Sequence, residues 1–160
     1  MSREVPVAAT IAELRAFVRT RRALGERIGL VPTMGALHVG HLSLIEAARQ
    51  RADRVVATIF VNPTQFGANE DFSRYPRTFD ADRAQLAQVD ADLVFAPAVT
   101  EMYPAGFVTT VSLAGPASAG LEDRFRPTHF AGVATVVAKL LNQAQADVAV
   151  FGEKDYQQLL

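Results

Sequence analysis

His38 and His41 lie three residues apart in a segment that connects a predicted strand to a predicted helix. The apolar residues 28–31 precede this segment and predict a short buried strand. Residues 42–49 follow it and predict a helix with one apolar face. A helix N-terminus binds anions because its first N–H groups lack partners and its dipole favours negative charge. Two imidazoles on one face of such a turn can donate hydrogen bonds to charge that develops on a phosphoryl oxygen.

Gly35 and Gly40 flank this turn and let a phosphate approach the backbone closely, because they have no Cβ. Their spacing is that of a P-loop, but a P-loop continues with Lys and Ser or Thr, whereas His41 and Leu42 follow here. A His-x-x-His pair can also bind a metal, but the chain has no His-Glu-x-x-His pattern and no cysteine to complete a site. An ordinary strand-to-helix turn with two surface histidines is the remaining alternative.

Strands and helices alternate along the rest of the chain. Thr10 and Glu13 have the spacing of a capping box and predict a helix that extends to about Leu24, where Gly25 ends it. Further strands are predicted at residues 55–61, 92–96 and 148–151, with an outer strand at residues 108–113. Further helices are predicted at residues 80–89, at residues 129–141 and from Lys154 onward.

This alternation predicts an α/β fold with a doubly wound parallel sheet, in which ligands bind beyond the carboxyl ends of the strands. His38, Gln65 and Lys154 each follow a predicted strand closely, so we expect them to meet at one edge of the sheet. A lysine there can neutralise a polyphosphate, and a glutamine can hold a hydroxyl or carboxylate without adding charge. Taken singly, Gln65 and Lys154 are equally typical of ordinary surface positions.

Composition narrows the class of protein. The chain has 160 residues, a length typical of one domain, and its 49% apolar and 21% charged content is typical of a soluble globular protein. A net charge of −1 favours neither a nucleic-acid nor a membrane-surface partner. The lack of cysteine excludes a disulfide framework and thiolate chemistry. The N-terminus lacks the apolar core of a signal peptide, and no apolar run approaches the ~20 residues of a membrane span, so we expect a cytoplasmic protein.

Residues 32–41, Pro-Thr-Met-Gly-Ala-Leu-His-Val-Gly-His, resemble the signature of the pantothenate synthetase (pantoate–β-alanine ligase) family. That family belongs to the nucleotidyltransferases with a Rossmann-like sheet, which share a His-x-Gly-His motif with class I aminoacyl-tRNA synthetases. The resemblance extends from about Leu30 to the last residue. Four more segments are similar to the family in order and spacing: residues 60–67, 74–77, 126–132 and 151–159.

The resemblance implies an ATP-dependent ligase that joins (R)-pantoate and β-alanine, the last step of pantothenate synthesis on the route to coenzyme A. It implies that the carboxylate of pantoate attacks the α-phosphorus of ATP, so that pantoyl-adenylate forms and pyrophosphate leaves. The amine of β-alanine then displaces AMP. It also implies catalytic roles for His38, His41 and Lys154, and a homodimer.

The resemblance further implies which residues bind each substrate. Gln65 and Gln158 are expected to hold pantoate together with Met34, and Gln65 is expected to contact β-alanine as well. Phe60 and Val133 would extend the apolar wall beside Met34, although core packing explains these three side chains equally well. The expected ATP-binding residues are Met34, Gly35, Ala36, Leu37, His38, Val39, Gly40, His41, Gly152, Glu153, Lys154 and Asp155.

Magnesium is expected to accompany ATP. Asp82 and Gln85 are the protein groups that would help hold Mg²⁺ with phosphate oxygens. A further acidic position of some relatives is Ala81 here, so we expect the ion to be carried mainly by ATP. His129 either lines the site or, with Thr128, only caps the helix that begins there.

Members of the family continue with a second nucleotide-contacting loop and a smaller C-terminal domain. Residues 1–160 are therefore expected to be the N-terminal nucleotide- and pantoate-binding domain of a longer enzyme. Two alternatives stay open. One is a nucleotidyltransferase with another acceptor, such as phosphopantetheine or nicotinate nucleotide. The other is a domain that binds these ligands without efficient turnover.

Overall fold

The computed structural model describes residues 4–66, 75–76, 78–154 and 156–160, and a parallel sheet forms its centre. Its strands are β1 (Val7–Ala8), β2 (Ile28–Val31), β3 (Arg54–Thr58), β4 (Leu93–Phe95) and β5 (Val148–Ala149). The helices of the described residues are α1 (Ile11–Ala23), α2 (Val39–Arg49), α3 (Phe79–Gln88), α4 (Val99–Met102), α5 (Glu122–Phe125), α6 (His129–Ala144) and α7 (Tyr156–Leu159). Among these residues, 3-10 turns lie at Pro63–Gln65 and Gly115–Ser118. Within the described ranges, no helix combines the length and the apolar character that spanning a lipid bilayer requires.

The strands lie in the order β1-β4-β3-β2-β5, and every pair is parallel. The chain runs outward from β2 through β3 to β4, and then returns to place β5 on the other side of β2. The strand order therefore reverses between β2 and β5, which is the position where open α/β sheets bind ligands. The predicted α/β fold with a doubly wound parallel sheet is confirmed.

Helices cover both faces of the sheet. On one face, Leu14 of α1 and Leu140 of α6 belong to the same buried cluster as strand residues of β2 and β3. On the other face, Ile45 of α2 and Leu86 of α3 pack in a second cluster. Each of these side chains is at most 4% exposed, and burying a side chain of this size contributes about 1.5–3 kcal/mol. Burial on both faces explains why these strands appear in the sequence as uninterrupted apolar runs.

Helix α1 begins and ends as its sequence predicts. Thr10 Oγ1 accepts the N–H of Glu13 at 3.2 Å, and Glu13 Oε2 accepts the N–H of Thr10 at 2.9 Å, which completes the predicted capping box. Gly25 follows the helix with φ of +78°, a left-handed conformation that glycine adopts without strain.

Residues 108–113 form no strand, so the predicted outer strand is wrong. Val108 is 86% exposed, and the N–H of Val111 donates to Thr135 Oγ1 on α6 at 2.9 Å. An alternating segment becomes a strand only where another strand lies within reach, and the neighbouring element here is a helix. Strand β3 also ends at Thr58 instead of residue 61, and the two-residue β1 is too short for any periodicity to reveal.

Candidate active site at the carboxyl ends of the strands

The two histidines cap the helix that they precede. His38 is the N-cap residue of α2, and its Nδ1 accepts the N–H of Gly40 at 3.1 Å. Nδ1 of His41 accepts the N–H of His38 at 3.3 Å, so the pair forms a reciprocal capping box built from imidazoles. Their ring centroids are 4.1 Å apart. The prediction that both imidazoles share one face of the turn is confirmed.

This capping fixes the tautomer of both rings. A neutral imidazole whose Nδ1 accepts a hydrogen bond carries its proton on Nε2. Partial burial lowers the pKa of His41, as do the neighbouring charges of His38 and Lys154, while Asp82 acts in the opposite direction. His41 is therefore neutral at pH 7. Each ring thus offers an Nε2–H donor from a helix N-terminus.

A buried carboxylate holds the turn between β2 and α2. Asp82 is 1% exposed, and its two oxygens accept the N–H groups of Leu37 at 2.8 Å and Ala36 at 3.0 Å. Gly35 has φ of +85°, and a Cβ there would lie 3.1 Å from Asp82 Oδ2. The close approach and the left-handed backbone together require glycine at position 35.

Asp82 thus has a structural task beside the metal role predicted for it. Its Oδ2 also accepts the hydroxyl of Thr78 at 3.1 Å. Gln85 lies one turn further along α3 and is half-buried. Among the described residues, no group of three or more His, Cys, Asp or Glu side chains is arranged to hold a metal ion. Metal binding by Asp82 and Gln85 stays a prediction.

Two buried threonines join the carboxyl ends of β2 and β3. Thr33 Oγ1 donates to the carbonyl of Thr58 at 2.6 Å, and Thr58 Oγ1 accepts the N–H of Thr33 at 3.2 Å. Strand β2 leads to the histidine turn and β3 leads to the Pro63–Gln65 turn. The threonine pair therefore sets the relative position of His38 and Gln65.

Asn62, which the sequence analysis does not single out, organises the turn that carries Gln65. Its side chain is fully buried, and its Nδ2 donates to Gln65 Oε1 at 2.9 Å and to the carbonyl of Gly132 at 3.2 Å. Its Oδ1 accepts from Thr64 and from the hydroxyl of Tyr103, the latter at 2.8 Å. These bonds satisfy the buried amide of Asn62 completely.

Helix α6 supports the same turn. A Cβ at Gly132 would lie 2.4 Å from the carbonyl oxygen of Thr64, so only glycine permits this approach of helix and turn. Nδ1 of His129 lies 3.0 Å from the carbonyl oxygen of Gln65. Thr128 makes no side-chain cap bond. His129 therefore contacts the turn that carries Gln65. The Thr128 side chain does not cap α6, as the alternative role would require.

A cavity of about 330 Å³ lies between α6, the Gly115–Ser118 turn and α7. This volume is in the range of small-molecule sites. Three of the predicted site residues line the cavity: Val133, Gly152 and Gln158. Two others, Met34 and Gln65, do not line it. Phe60 instead packs in the core cluster that contains Leu140. A pantoate site shared by Gln65 and Gln158 stays a prediction.

Gln157 and Gln158 are neighbours with different environments. Gln158 is exposed, whereas Gln157 is 8% exposed and accepts the N–H of Glu122 at 2.7 Å. Gln157 Nε2 donates to Asp123 Oδ1 at 2.7 Å and to the carbonyl of Pro116 at 2.9 Å. The bond from Gln157 is the main cause that holds the pKa of Asp123 below its usual value. Gln157 therefore anchors α7, and neither its type nor its spacing in the sequence separates it from Gln158.

The segment after β5 carries the other predicted ATP contacts. Glu153 and Lys154 are exposed, and the charge of Lys154 contributes to the lowered pKa of His41. Asp155 lies outside the described residues, as does most of the segment 67–77. Strands β2 and β5 pair in parallel, so the histidine turn and the Lys154 segment follow neighbouring strand ends at one edge of the sheet; a site that they form together with Gln65 stays a prediction.

A helix N-terminus capped by two imidazoles thus lies where the strand order of a doubly wound parallel sheet reverses, which is the position where open α/β sheets bind ligands. The chain belongs to the pantoate-beta-alanine ligase family, whose sequence profile matches residues 6–160. The family resemblance of the His-x-Gly-His turn and its companion segments is thereby confirmed.

Two curated relatives illustrate the match. The pantothenate synthetase of Rhodospirillum rubrum is 60% identical over 158 residues, which are 99% of this chain and 56% of that protein. The pantothenate synthetase of Caulobacter vibrioides is 61% identical over 150 residues, which are 94% of this chain and 52% of that protein. The chain thus spans about half the length of the curated relatives it matches.

Solved structures agree with the fold. The crystal structure of pantothenate synthetase from Thermus thermophilus superposes with a TM-score of 0.90 and 54% identity, over 97% of this chain and 54% of that one. The pantoate-beta-alanine ligase from Francisella tularensis, complexed with beta-gamma ATP and beta-alanine, gives a TM-score of 0.87 and 40% identity over 97% of this chain and 59% of that one.

Proposed function

We propose that residues 1–160 form the nucleotide- and pantoate-binding part of a longer enzyme that ligates (R)-pantoate and β-alanine to pantothenate. The observation that carries this proposal is the pair of Nε2–H donors from His38 and His41 at the N-terminus of α2. Membership in the pantoate-beta-alanine ligase family supports the choice of substrates. The beta-gamma ATP and beta-alanine named for the Francisella tularensis relative support the nucleotide and the amine.

In the first proposed step, a carboxylate oxygen of pantoate bonds to the α-phosphorus of ATP. The bond from that phosphorus to the oxygen bridging to the β-phosphate breaks, and pyrophosphate leaves. His38 and His41 donate from Nε2 to phosphate oxygens that gain charge, and Lys154 neutralises the polyphosphate. Donors fixed by backbone capping need no reorganisation as the charge develops, which is the condition for electrostatic catalysis.

In the second proposed step, the neutral amine of β-alanine bonds to the acyl carbon of pantoyl-adenylate. The bond from that carbon to the phosphate oxygen breaks, AMP leaves, and the amine releases its extra proton to water. Gln65 holds pantoate and β-alanine, and Gln158 holds pantoate, so the protein acts here mainly by positioning the reacting atoms.

Magnesium enters this proposal as part of the ATP substrate. Asp82 fits a metal ligand poorly, because it is 1% exposed and both of its oxygens already accept backbone N–H groups. A direct Mg²⁺ ligand must present a carboxylate oxygen to the ion at about 2.1 Å. We propose that phosphate oxygens and water hold the ion.

Pantoate-dependent exchange of labelled pyrophosphate into ATP tests the first step in a protein of the relatives' full length. We expect exchange that requires pantoate and that falls about 10²-fold in His41→Ala. Exchange that another acid supports better than pantoate, or a folded His41→Ala protein with normal exchange, would overturn the proposal. Calorimetric titration of the 160-residue chain with ATP and with pantoate separately tests its binding role.

We also propose that the enzyme is a cytoplasmic homodimer, as the family resemblance implies. Sedimentation velocity over a range of concentrations distinguishes dimer from monomer, and a monomer at micromolar concentration would contradict the proposal.

A further inference from the structure

Tyr103 follows helix α4 and reaches the turn that carries Gln65. Its hydroxyl donates to Asn62 Oδ1 at 2.8 Å. Asn62 in turn donates from Nδ2 to Gln65 Oε1 at 2.9 Å. A chain of two hydrogen bonds therefore connects Tyr103 to a residue that the proposed function assigns to substrate binding.

The partners of Asn62 determine which end of its amide faces each neighbour. The backbone N–H of Thr64 can only donate, and the carbonyl of Gly132 can only accept. Oδ1 must therefore face Thr64 and Tyr103, and Nδ2 must face Gly132 and Gln65. It follows that Gln65 turns its Oε1 toward Asn62, which leaves its amide NH₂ as the group available to a ligand.

Tyr103 is held in place by its surroundings. Its ring packs edge-on against Phe107, with centroids 5.2 Å apart, and Lys139 Nζ lies 4.1 Å from the centroid of the Phe107 ring. Phe60 contributes a third ring at 6.3 Å. Burial raises the pKa of the Tyr103 hydroxyl, so the group keeps its proton and remains a donor to Asn62.

We propose that Tyr103 is a positioning residue that, together with Thr64 and Gly132, holds the Asn62 amide and thereby orients the Gln65 amide with its NH₂ toward the substrate. The group that Gln65 contacts must then be a hydrogen-bond acceptor, as a carboxylate or an ether-type oxygen is. The identity of the ligand as pantoate rests on the proposed function. The orientation of Gln65 rests only on the hydrogen bonds of Asn62.

The variant that tests this is Tyr103→Phe, which keeps the ring packed on Phe107 and removes only the hydroxyl. Tyr156→Phe is the matched control, because Tyr156 is 63% exposed and lies outside this network. In ¹H–¹⁵N spectra of the chain without ligand, Tyr103→Phe should shift the side-chain NH₂ signals of Asn62 and Gln65. Tyr156→Phe should leave them in place. Unchanged NH₂ signals in Tyr103→Phe would overturn the proposal.

A double-mutant cycle on pantoate binding supplies the second measurement. Tyr103→Phe should raise the calorimetric Kd for pantoate about 3- to 10-fold, the range expected for one hydrogen bond. In a Gln65→Ala background the same change should alter Kd less than about 2-fold, because Tyr103 then has no amide to orient. An equal loss in both backgrounds would mean that Tyr103 acts only on the fold. Shifted NH₂ signals with a Gln65→Ala chain that binds pantoate normally would confirm the orienting role and refute pantoate as the ligand.

Discussion

Asp82 of α3 accepts the backbone N–H of Leu37 at 2.8 Å, although the two residues are 45 positions apart. The same carboxylate accepts the N–H of Ala36, so it satisfies two consecutive donors of one turn. Leu37 is the last residue before the His38 cap. The position of the two imidazoles therefore depends on a carboxylate that is itself buried.

Replacing Asp82 with Asn should destabilise the chain by about 2–3 kcal/mol. The Asn side chain has one acceptor oxygen for two backbone donors, and its NH₂ group would face an N–H that is left buried and unsatisfied. Urea unfolding measures the loss. Asp80→Asn is the matched control, because Asp80 is exposed in the first turn of the same helix and its replacement should cost at most about 0.5 kcal/mol. If Asp82 served only as a metal ligand, Asp82→Asn would unfold like the unmodified chain and change only the response to Mg²⁺.

His38 combines a structural and a proposed catalytic task, and two substitutions separate them. His38→Ala removes the N-cap of α2 and should lower the free energy of unfolding by about 1 kcal/mol. His38→Asn restores a side-chain cap acceptor and should recover most of that stability. Neither variant has the Nε2–H donor, so both should reduce pantoate-dependent pyrophosphate exchange about 10²-fold in the full-length enzyme. Recovery of exchange in His38→Asn would show that capping alone is the role of this histidine.

The lowered pKa of His41 makes a prediction about stability and pH. Its ordinary pKa is 6.5, and burial is the main cause that lowers it in the fold. Below pH 6.5 the unfolded chain therefore binds a proton that the folded chain does not yet bind. The free energy of unfolding therefore decreases as the pH falls from 6.5 to the lowered pKa of His41. Below that pKa, the loss caused by His41 stays constant. The stability that neutral His41 provides is fully present above pH 6.5.

Urea unfolding at about pH 7.5 and about pH 5 checks this prediction, with His41→Gln as the reference. The unmodified chain should lose more stability than His41→Gln over this interval. The carboxylates with lowered pKa values, such as those of Glu13 and Asp147, start from ordinary values of 4.5 and 3.8, so they act at lower pH and cancel in the comparison. A larger loss in His41→Gln than in the unmodified chain would contradict the assigned sign.

The sequence predicts those features that depend on neighbours in the chain. The alternation of strands and helices, the Thr10 cap and the shared face of His38 and His41 follow from local spacing, and each is confirmed. Asn62 and Tyr103 are 41 residues apart, and nothing in either segment indicates that their side chains meet. Contacts of this kind depend on where the sheet places α4 and the Pro63–Gln65 turn. Periodicity and spacing within either segment do not reveal that placement.

The error at residues 108–113 has a related cause. Alternating Val, Thr and Ser side chains are typical of a half-exposed strand. The pattern predicts an extended backbone, but it does not predict a partner strand. Pairing requires a neighbouring strand, and Val111 instead donates its N–H to the hydroxyl of Thr135. An extended segment joins the sheet only if its backbone groups form hydrogen bonds with a neighbouring strand, and periodicity does not show whether they do.

Gln157 and Gln158 offer a comparison of structural and binding roles at adjacent positions. Gln157→Ala removes three hydrogen bonds that join α7 to Glu122, Pro116 and Asp123, and should lower the free energy of unfolding by about 1–3 kcal/mol. Gln158→Ala removes an exposed side chain at the rim of the cavity and should change stability by less than about 0.5 kcal/mol. If Gln158 holds pantoate, the Kd for pantoate should rise about tenfold in Gln158→Ala, while the Kd for ATP should stay within about 2-fold of that of the unmodified chain. Parallel urea unfolding and calorimetric titration of both variants measure these effects. Equal weakening of pantoate and ATP binding in Gln158→Ala would assign the cavity to the nucleotide instead.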